Sequence, residues 1–413
     1  MSHSYNAART LELAPCQGPR SISVTLGVGS APYQQTLPNA LLQAGMLHRL
    51  FRFGPNLEVF EPDENRSLKL LHRFDSYHAS NRILWGIWNR LPGTGRRRHP
   101  IVASCWLADK LTSKWTSPSS IFHSWTSVSL SSLRAIKSQA TTFIENPMVH
   151  PLRWQREVLT ECKRFSVRPE NCDTVLPSLL LKRREREYEA CDHIIVPSST
   201  AERSFEEYGY RPKVIRVLLG IDHELFRPPQ QQKQSSIFRV CYVGRVELAK
   251  GIVYLLEAWK HLQLLDAELV LVGEVRPEIR SILNRYMGRN IRLAGSVPPG
   301  EVVKNYQSSS LFVFPSVHEG MALVLLEAMA CGLPVVATTT SGAGDCVTEG
   351  VEGFLVPPRD ISALAEAIFW CYQHQTELLK MGNAARLTVE RQFTLQHYVE
   401  RQMAVYRSAV GGT

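Results

Sequence analysis

The residues best suited to chemistry lie in SSSLFVFPSVHEGMALVLLEAMACGLPVVAT, Ser308 to Thr338. Glu319 stands just before Gly320-Met321-Ala322, and Glu327 follows two helical turns later. A carboxylate accepts hydrogen bonds from hydroxyl groups, so the pair suits one contact to a sugar and one to a ribose. A helix is expected over Met321–Cys331, which leaves the N–H groups of Gly320, Met321 and Ala322 without intrahelical partners. Those donors and the helix dipole favour an anion there, most naturally a phosphate. The same residues also describe an ordinary strand–helix–strand unit, with one glutamate on a solvated turn and one on a solvated helix face. A second cluster, Arg245 and Lys250 in GRVELAKG, brackets another loop. Both cations can reach one diphosphate, Arg by its planar fork and Lys as a point charge.

Elements of a definite kind must hold these groups. Leu311–Phe314 is a short aromatic and β-branched run, closed by Pro315 and Ser316, and reads as a strand. Gly332 ends the helix that follows, and Val335–Thr338 is a second strand, parallel to the first because a helix connects them. The same alternation fills the rest of the second half. Strands are expected at Phe238–Val243, Glu268–Val272, Ile291–Ala294 and Gly353–Val356, with a helix at Gly251–Leu262 and helices from Ile361 onward. Repeated β-α-β-α means an open parallel sheet covered on both faces. Before it, Arg227–Ser236 (RPPQQQKQSS) has no apolar periodicity and reads as a linker.

In the first half, Ser21–Leu26 is a strand, followed by Gly27-Val28-Gly29-Ser30 and a helix over Thr36–Leu50. The turn resembles a nucleotide-binding opening without the full G-x-G-x-x-G, and Gly29 is its candidate contact. Tyr77–Leu91 carries Ile83, Leu84, Ile87, Trp88 and Leu91 at helical spacing, with Arg82, Arg90 and Arg96-Arg97-Arg98 nearby. This suits either an interfacial membrane helix or a core helix followed by a basic loop. His123 closes the apolar stretch SIFH, at an expected strand end facing the cleft, where it can meet a sugar hydroxyl or leaving phosphate or act as a packing residue. A helix is expected in the following SWTSVSLSSLRAIKSQ, a strand over Thr141–Asn146, and a charged helix over Leu179–Ala190.

Composition narrows the class. The chain has 413 residues, 44% hydrophobic and 21% charged, which fits two or three soluble globular domains. No run reaches the length of a membrane span, and the N-terminus lacks a signal-peptide layout. Nine cysteines without Cys-x-x-Cys point to reduced thiols and the cytosol. Net charge is +9, and residues 1–180 carry all of it, with 21 Lys/Arg against 12 Asp/Glu; residues 181–413 carry 26 of each. The first half therefore faces something anionic, such as a membrane leaflet, a lipid-linked phosphate or an acidic polysaccharide, or carries a solvated basic surface. No nucleic-acid recognition motif is present, so no nucleic-acid partner is expected.

Several signatures occur in one order: Gly244–Gly251 (GRVELAKG), Leu271–Glu274 (LVGE), Ala294–Val297 (AGSV), the Ser308–Thr338 segment and Gly353–Pro358 (GFLVPP). Together they resemble family-four retaining glycosyltransferases of the GT-B fold, of the bacterial polysaccharide or glycolipid type. The likeness is specific over residues 238–360, looser through IFHSW, ACDHIIVPSS and LLGIDHELFRP, and weak over residues 1–120. It implies an α/β protein with two doubly wound, Rossmann-like domains facing a central cleft. An acceptor-binding domain would span residues 1–226, a linker 227–236, a nucleotide-sugar-binding domain 237–392, and a returning helix 393–413.

The resemblance also assigns roles. Glu319 and Glu327 fill the family's Glu-x7-Glu motif, placing Glu319 near the reacting sugar and Glu327 at the ribose. Arg245 and Lys250 match the pair that neutralises the diphosphate, and His123 matches a first-domain histidine near the donor sugar. Glu274 and Val297 fall where the family lines the base and ribose pocket. The donor is then a UDP- or GDP-sugar and the acceptor a carbohydrate or lipid-linked molecule. A peripheral membrane contact through the basic first half is a further expectation, the protein being cytoplasmic and, where that contact forms, at the inner membrane surface. Cations replace a metal, no Asp-x-Asp motif is present, and neither metal nor cofactor is expected. Two departures stand out: Gly320-Met321-Ala322 replaces the usual Gly-Phe-Gly, and Asp345 lies where many relatives carry glutamate. A nucleotide-sugar 2-epimerase and a catalytically silent nucleotide-sugar-binding protein remain the competing readings.

Overall fold

The computed structural model describes residues 22–28, 32–53, 57–73, 99–172, 174–230, 237–288 and 290–411. Gly29, the Tyr77–Leu91 segment and linker residues 231–236 lie outside these, as does Arg96-Arg97-Arg98.

The first sheet has eight strands: β1 Val24–Val28, β2 Leu47–Phe53, β3 Leu57–Pro62, β4 Leu68–Arg73, β5 Ile121–Trp125, β6 Thr141–Glu145, β7 His193–Val196 and β8 Val214–Arg216. Their order is β4-β3-β2-β1-β5-β6-β7-β8. All pair in parallel except β3, which runs antiparallel to both neighbours. The helix expected over Thr36–Leu50 is shorter: α1 covers Pro32–Gln43, and β2 begins at Leu47. The cause is local. Gly45 adopts φ 68° and donates to Leu42 O, while Met46 N–H reaches back to Leu41 O, which is a Schellman stop. Beyond it LHRLFRF takes up an extended conformation and pairs in parallel with β1.

The remaining first-half helices are α2 His99–Thr112, α3 Leu130–Ile136, α4 Pro151–Arg164, α5 Ser178–Ala190 and α6 Ser199–Glu206. The helix expected through SWTSVSLSSLRAIKSQ shrinks to α3, because Trp125 is still in β5 and Ser127 takes φ 85°. Buried acids cap α3: Glu187 accepts from the N–H groups of Ser129 and Leu130, and Asp109 from those of Ser131 and Ser132.

The second sheet contains β9 Phe238–Val243, β10 Ala267–Val272, β11 Ile291–Gly295, β12 Leu311–Phe314, β13 Val335–Thr338 and β14 Gly353–Val356. It is wholly parallel in the order β11-β10-β9-β12-β13-β14. The helices are α7 Ile252–Leu262, α8 Arg280–Leu283, α9 Pro299–Gln307, α10 Leu323–Ala330, α11 Ile361–Gln373 and α12 Gln375–Gln392. Sequence order reverses direction between β9 and β12, and ligands of doubly wound sheets bind at that switch point. Strands β9, β12 and β13 are buried nearly throughout, as parallel strands covered on both faces must be.

The last helix, α13 Leu395–Gly411, returns to the first sheet. Tyr398 Oη donates to Glu145 at 3.3 Å, and Ile221 pairs with Thr394 where the chain crosses.

Candidate active site between the two sheets

The switch point explains which side chains meet. The loop after β9 ends in a short turn, Leu248–Lys250, and Gly251 then takes φ 68°. A Cβ at Gly251 would sit 1.9 Å from Pro315 O, so glycine lets this loop lie directly on the one after β12. Val317 N–H donates to Ala249 O at 3.1 Å and stitches the two together, while Glu319 N–H donates to Thr340 O, in the loop after β13, at 2.9 Å. Lys250 Nζ consequently contacts Glu319 Oε1 in an ion pair. The ammonium also lies 5.9 Å from the ring centres of Trp154 and Phe314. Burial pushes Lys250 down to about 8, Arg245 lowers it further, and Glu247 opposes both. Its contact with the Glu319 carboxylate also favours the charged form.

Arg245 and Lys250 do not converge as a bare pair of cations. Arg245 is about half exposed, and its Nη2 lies 3.2 Å from Glu247 Oε1. Glu247 is fully buried, and neither carboxylate oxygen has a hydrogen bond. Glu247 went unnoticed in the sequence, although an acid set between two cations in GRVELAKG is the signal that could have found it.

Helix α10 starts two residues later than expected. Ala322 is its N-cap, and its N–H donates to Ser341 O at 3.3 Å, so this group is not free for an anion. The correction follows from Gly342, whose φ of 79° brings the Thr338–Ser341 turn against the helix entrance. Among the described residues, the N–H groups of Gly320 and Met321 have no hydrogen-bond partner. Glu327 projects from α10 and accepts from Tyr306 Oη at 3.0 Å; the same hydroxyl lies 3.2 Å from Val324 O. Burial pushes Glu327 up to about 7, against the lowering effect of the Tyr306 bond. Glu274 is half exposed and pairs with Arg276 at 3.0 Å, while its backbone oxygen accepts from Val246 N–H and fixes the Arg245 loop. Val297 is partly buried beyond the end of β11 and packs on the core.

The first-sheet elements press on this edge. A Cβ at Gly320 would lie 2.1 Å from Pro147 O, and Ser198 Oγ donates to Gly320 O. His318 is 5% exposed, with no hydrogen bond at either ring nitrogen, and burial pushes it down to about 4. His123 sits inside β5 rather than at its end. Its Nδ1 shares a hydrogen bond with Tyr406 Oη of α13, and its Nε2 lies 3.2 Å from Glu145 Oε2. The structure thus encloses His123, 1% exposed, between β6 and the returning helix.

Three other contacts join the halves. Asp345 accepts from Ser199 N–H (2.8 Å) and Oγ (2.9 Å) at the start of α6, and lies 3.3 Å from Arg216 Nη1. Arg359 donates to Glu161 at 2.6 Å and to Glu157 at 2.7 Å, both on α4. Tyr254 Oη donates to Glu161 Oε2 at 2.7 Å. None of these partners is signalled by local sequence, because each depends on residues far apart in the chain.

Comparison with known proteins agrees with this architecture. Sucrose-phosphate synthase from Thermosynechococcus elongatus superposes with a TM-score of 0.66 at 19% identity, covering 95% of this chain and 100% of that one. Anabaena HepE, solved with UDP and glucose, gives 0.60 at 14% identity over 94% and 100%. The fold is therefore GT-B, as the resemblance implied. Residues 226–388 match the family described as glycosyl transferases group 1, so the second half of the chain is a domain of that family. A D-inositol 3-phosphate glycosyltransferase from Catenulispora acidiphila is 32% identical over 54% of this chain and 59% of its own length. The amylovoran biosynthesis glycosyltransferase AmsK of Erwinia amylovora is 28% identical over 45% and 48%. The chain spans about half to two-thirds of the length of the curated relatives it matches.

Proposed function

We propose that the chain is a retaining, metal-independent glycosyltransferase that moves a sugar from a nucleoside-diphosphate sugar to a carbohydrate or lipid-linked acceptor. The observation that carries the reading is the meeting of Lys250 and Glu319 at the switch point of a group 1 glycosyltransferase domain. The names of the inositol-phosphate and exopolysaccharide relatives support a hydroxyl-rich acceptor, and the HepE complex supports a UDP-sugar among the donors to be tried.

In this reading the bond from the anomeric carbon to the phosphate oxygen breaks, and its electron pair leaves with the nucleoside diphosphate. An acceptor hydroxyl oxygen takes its place on that carbon, and the hydroxyl proton passes to the departing diphosphate oxygen. The negative charge developing on the diphosphate is stabilised by Lys250, Arg245 and the free N–H groups of Gly320 and Met321, aided by the start of α10. Glu319 contacts the sugar, Glu327 the ribose, and Glu274 and Val297 border the base. His123, held by Tyr406 and Glu145, is the first-domain histidine that the resemblance sets near the donor sugar.

The test is a panel of UDP-, GDP- and ADP-sugars, with and without an acceptor extract, read by release of nucleoside diphosphate. Release that rises with acceptor is expected from at least one donor. Absence of release from every donor overturns the reading, and interconversion of the donor sugar without release replaces it by the epimerase. A thermal shift with the active donor should vanish in an Arg245→Ala, Lys250→Ala double variant.

A further inference from the structure

Lys250 is a cation carried by the second half and covered by the first. The turn that bears it is seated in the first-half core: Ala249 is buried in the same apolar cluster as Trp154, Val158 and Cys162 of α4. That helix follows the Pro147-Met148 loop, which presses on Gly320. Trp154 lies in its first turn, where its N–H donates to His150 O at 2.9 Å. The indole Nε1–H donates to Thr174 O at 3.0 Å, which fixes the ring.

Core packing accounts for the burial of Trp154 but not for what lies against its ring. The Lys250 ammonium sits 5.9 Å from the centre of that ring and 5.9 Å from the centre of Phe314 on β12. Among the described residues, Glu319 is its hydrogen-bond acceptor. An ammonium carries three donors, and a buried donor without an acceptor is costly. The negative faces of the two rings attract the remaining N–H groups, more strongly where water is excluded, as an aliphatic side chain cannot. The charged groups around the ammonium are Glu319 after β12 and Arg245 and Glu247 on its own loop. Those of α4 beside Trp154 turn elsewhere, Arg153 to Glu157 and Glu207, and Glu157 also to Arg359. His318, also after β12, interacts with Arg153, Glu157, Arg359 and Glu207. Trp154 is therefore the side chain by which α4 bears on this cation.

We propose that Trp154 is a positioning residue for Lys250: its indole face, together with the Phe314 ring, holds the ammonium charged and aimed at Glu319 and the donor phosphates. The consequence for turnover rests on the transferase reading, whereas the aromatic clamp itself does not. The first half thereby sets the charge state of a cation on the second, and α4 must be seated for Lys250 to be ready.

The test follows the Lys250 titration directly in the full chain, by NMR of lysine labelled with carbon-13 at Cε. The Lys250 signal is the one lost in Lys250→Arg. Trp154→Phe and Trp154→Leu both give up the bond to Thr174 O, so the difference between them isolates the aromatic face. The midpoint is expected roughly half a pH unit lower in the leucine variant than in the phenylalanine one, because losing a contact that favours the charged form lowers it. If the leucine variant does not fold by circular dichroism, a fluorinated tryptophan at the same position keeps the shape and the Nε1–H while weakening the negative ring face. It should lower the midpoint relative to the wild type. A midpoint that stays in place, or rises as water enters, overturns the clamp in either comparison. With an active donor, the alkaline limb of kcat/KM should move down with the midpoint, and a limb that stays refutes the role in turnover. A lowered midpoint without release of nucleoside diphosphate from any donor refutes the transferase reading and leaves the clamp standing.

Discussion

Lys250 and Glu319 are joined in an ion pair at the one place in the second sheet where strand order reverses. Each side chain follows a different strand, and neither is near the other in sequence. The pair gives the site near-neutral charge, and a diphosphate drawn to Lys250 competes with Glu319 for the same ammonium. In the proposed function, binding the phosphates and freeing the carboxylate toward the sugar would thereby be coupled.

That coupling is measurable as stability. Glu319 is 5% exposed, so Lys250→Met leaves a carboxylate buried without its counter-charge, a change costing about 3 kcal/mol. Adding Glu319→Gln removes the stranded charge. The double variant should therefore be more stable than the sum of the single effects allows, by at least about 1 kcal/mol in urea denaturation. Additive losses would mean that the two groups do not interact.

The depressed Lys250 ammonium sets an alkaline limit. As pH rises through about 8 the side chain loses its charge, and kcat/KM for the donor should fall. A bound diphosphate favours the charged form, so the corresponding limb of kcat should lie at higher pH. Folding responds in the opposite sense. Between about 8 and the ordinary lysine value of 10.5 the unfolded chain binds more protons, so this group makes unfolding less favourable as pH rises. Lys250→Arg cannot titrate in this range, and persistence of the kcat/KM limb in that variant would assign it to another group.

The second sheet was largely legible because each strand is a short, nearly continuous apolar run bounded by glycine or proline. Local pattern suffices when both faces of a parallel strand are buried. The first sheet was less so. Strands β2 to β4 lie at an edge, carry Arg49, Arg52, Glu58, Lys69 and Arg73, and pair partly in antiparallel fashion, so polar side chains obscure the alternation. Residue types at the site were also legible, but their partners were not. Nothing local to GRVELAKG states that Lys250 turns to Glu319. Nothing near Arg359 announces α4. His123 shows the limit most plainly, since its surroundings are set by Tyr406, 283 positions along the chain.

Arg359 ties the two halves together while holding a left-handed backbone of φ 68°. An αL residue other than glycine costs of order 1 kcal/mol, offset here by two bonds to carboxylates on α4. Arg359→Ala keeps the strain and strands Glu161, which is fully buried, so a loss of about 3 kcal/mol is expected. Arg359→Gly loses the same bonds but relieves the backbone, and should be about 1 kcal/mol more stable than the alanine variant. Equal stabilities would show that the backbone strain is not real.

Gly320 tests how closely the first-half loop must seat on the site. Its φ is not left-handed, so an alanine would suffer no backbone penalty, and any effect must come from space. A Cβ there would lie 2.1 Å from Pro147 O and 2.7 Å from Met148 Cα, both backbone atoms that cannot swing aside. To make room, the Pro147-Met148 loop or the Glu319-Gly320 turn must shift, and the shift also pulls on the Ser198 bond to Gly320 O. Gly320→Ala should therefore destabilise the fold by about 1–3 kcal/mol, as overpacking does, and lower kcat/KM by more than about tenfold if Glu319 moves with the turn. Gly344→Ala is the control, because nothing lies within 4 Å of its Cβ position and its φ is ordinary. That variant should be neutral, or gain up to about 1 kcal/mol through lower entropy of the unfolded chain. If the two alanines behave alike, the first-half loop does not press on Gly320 in solution, and the close seating of the two sheets at this edge is refuted.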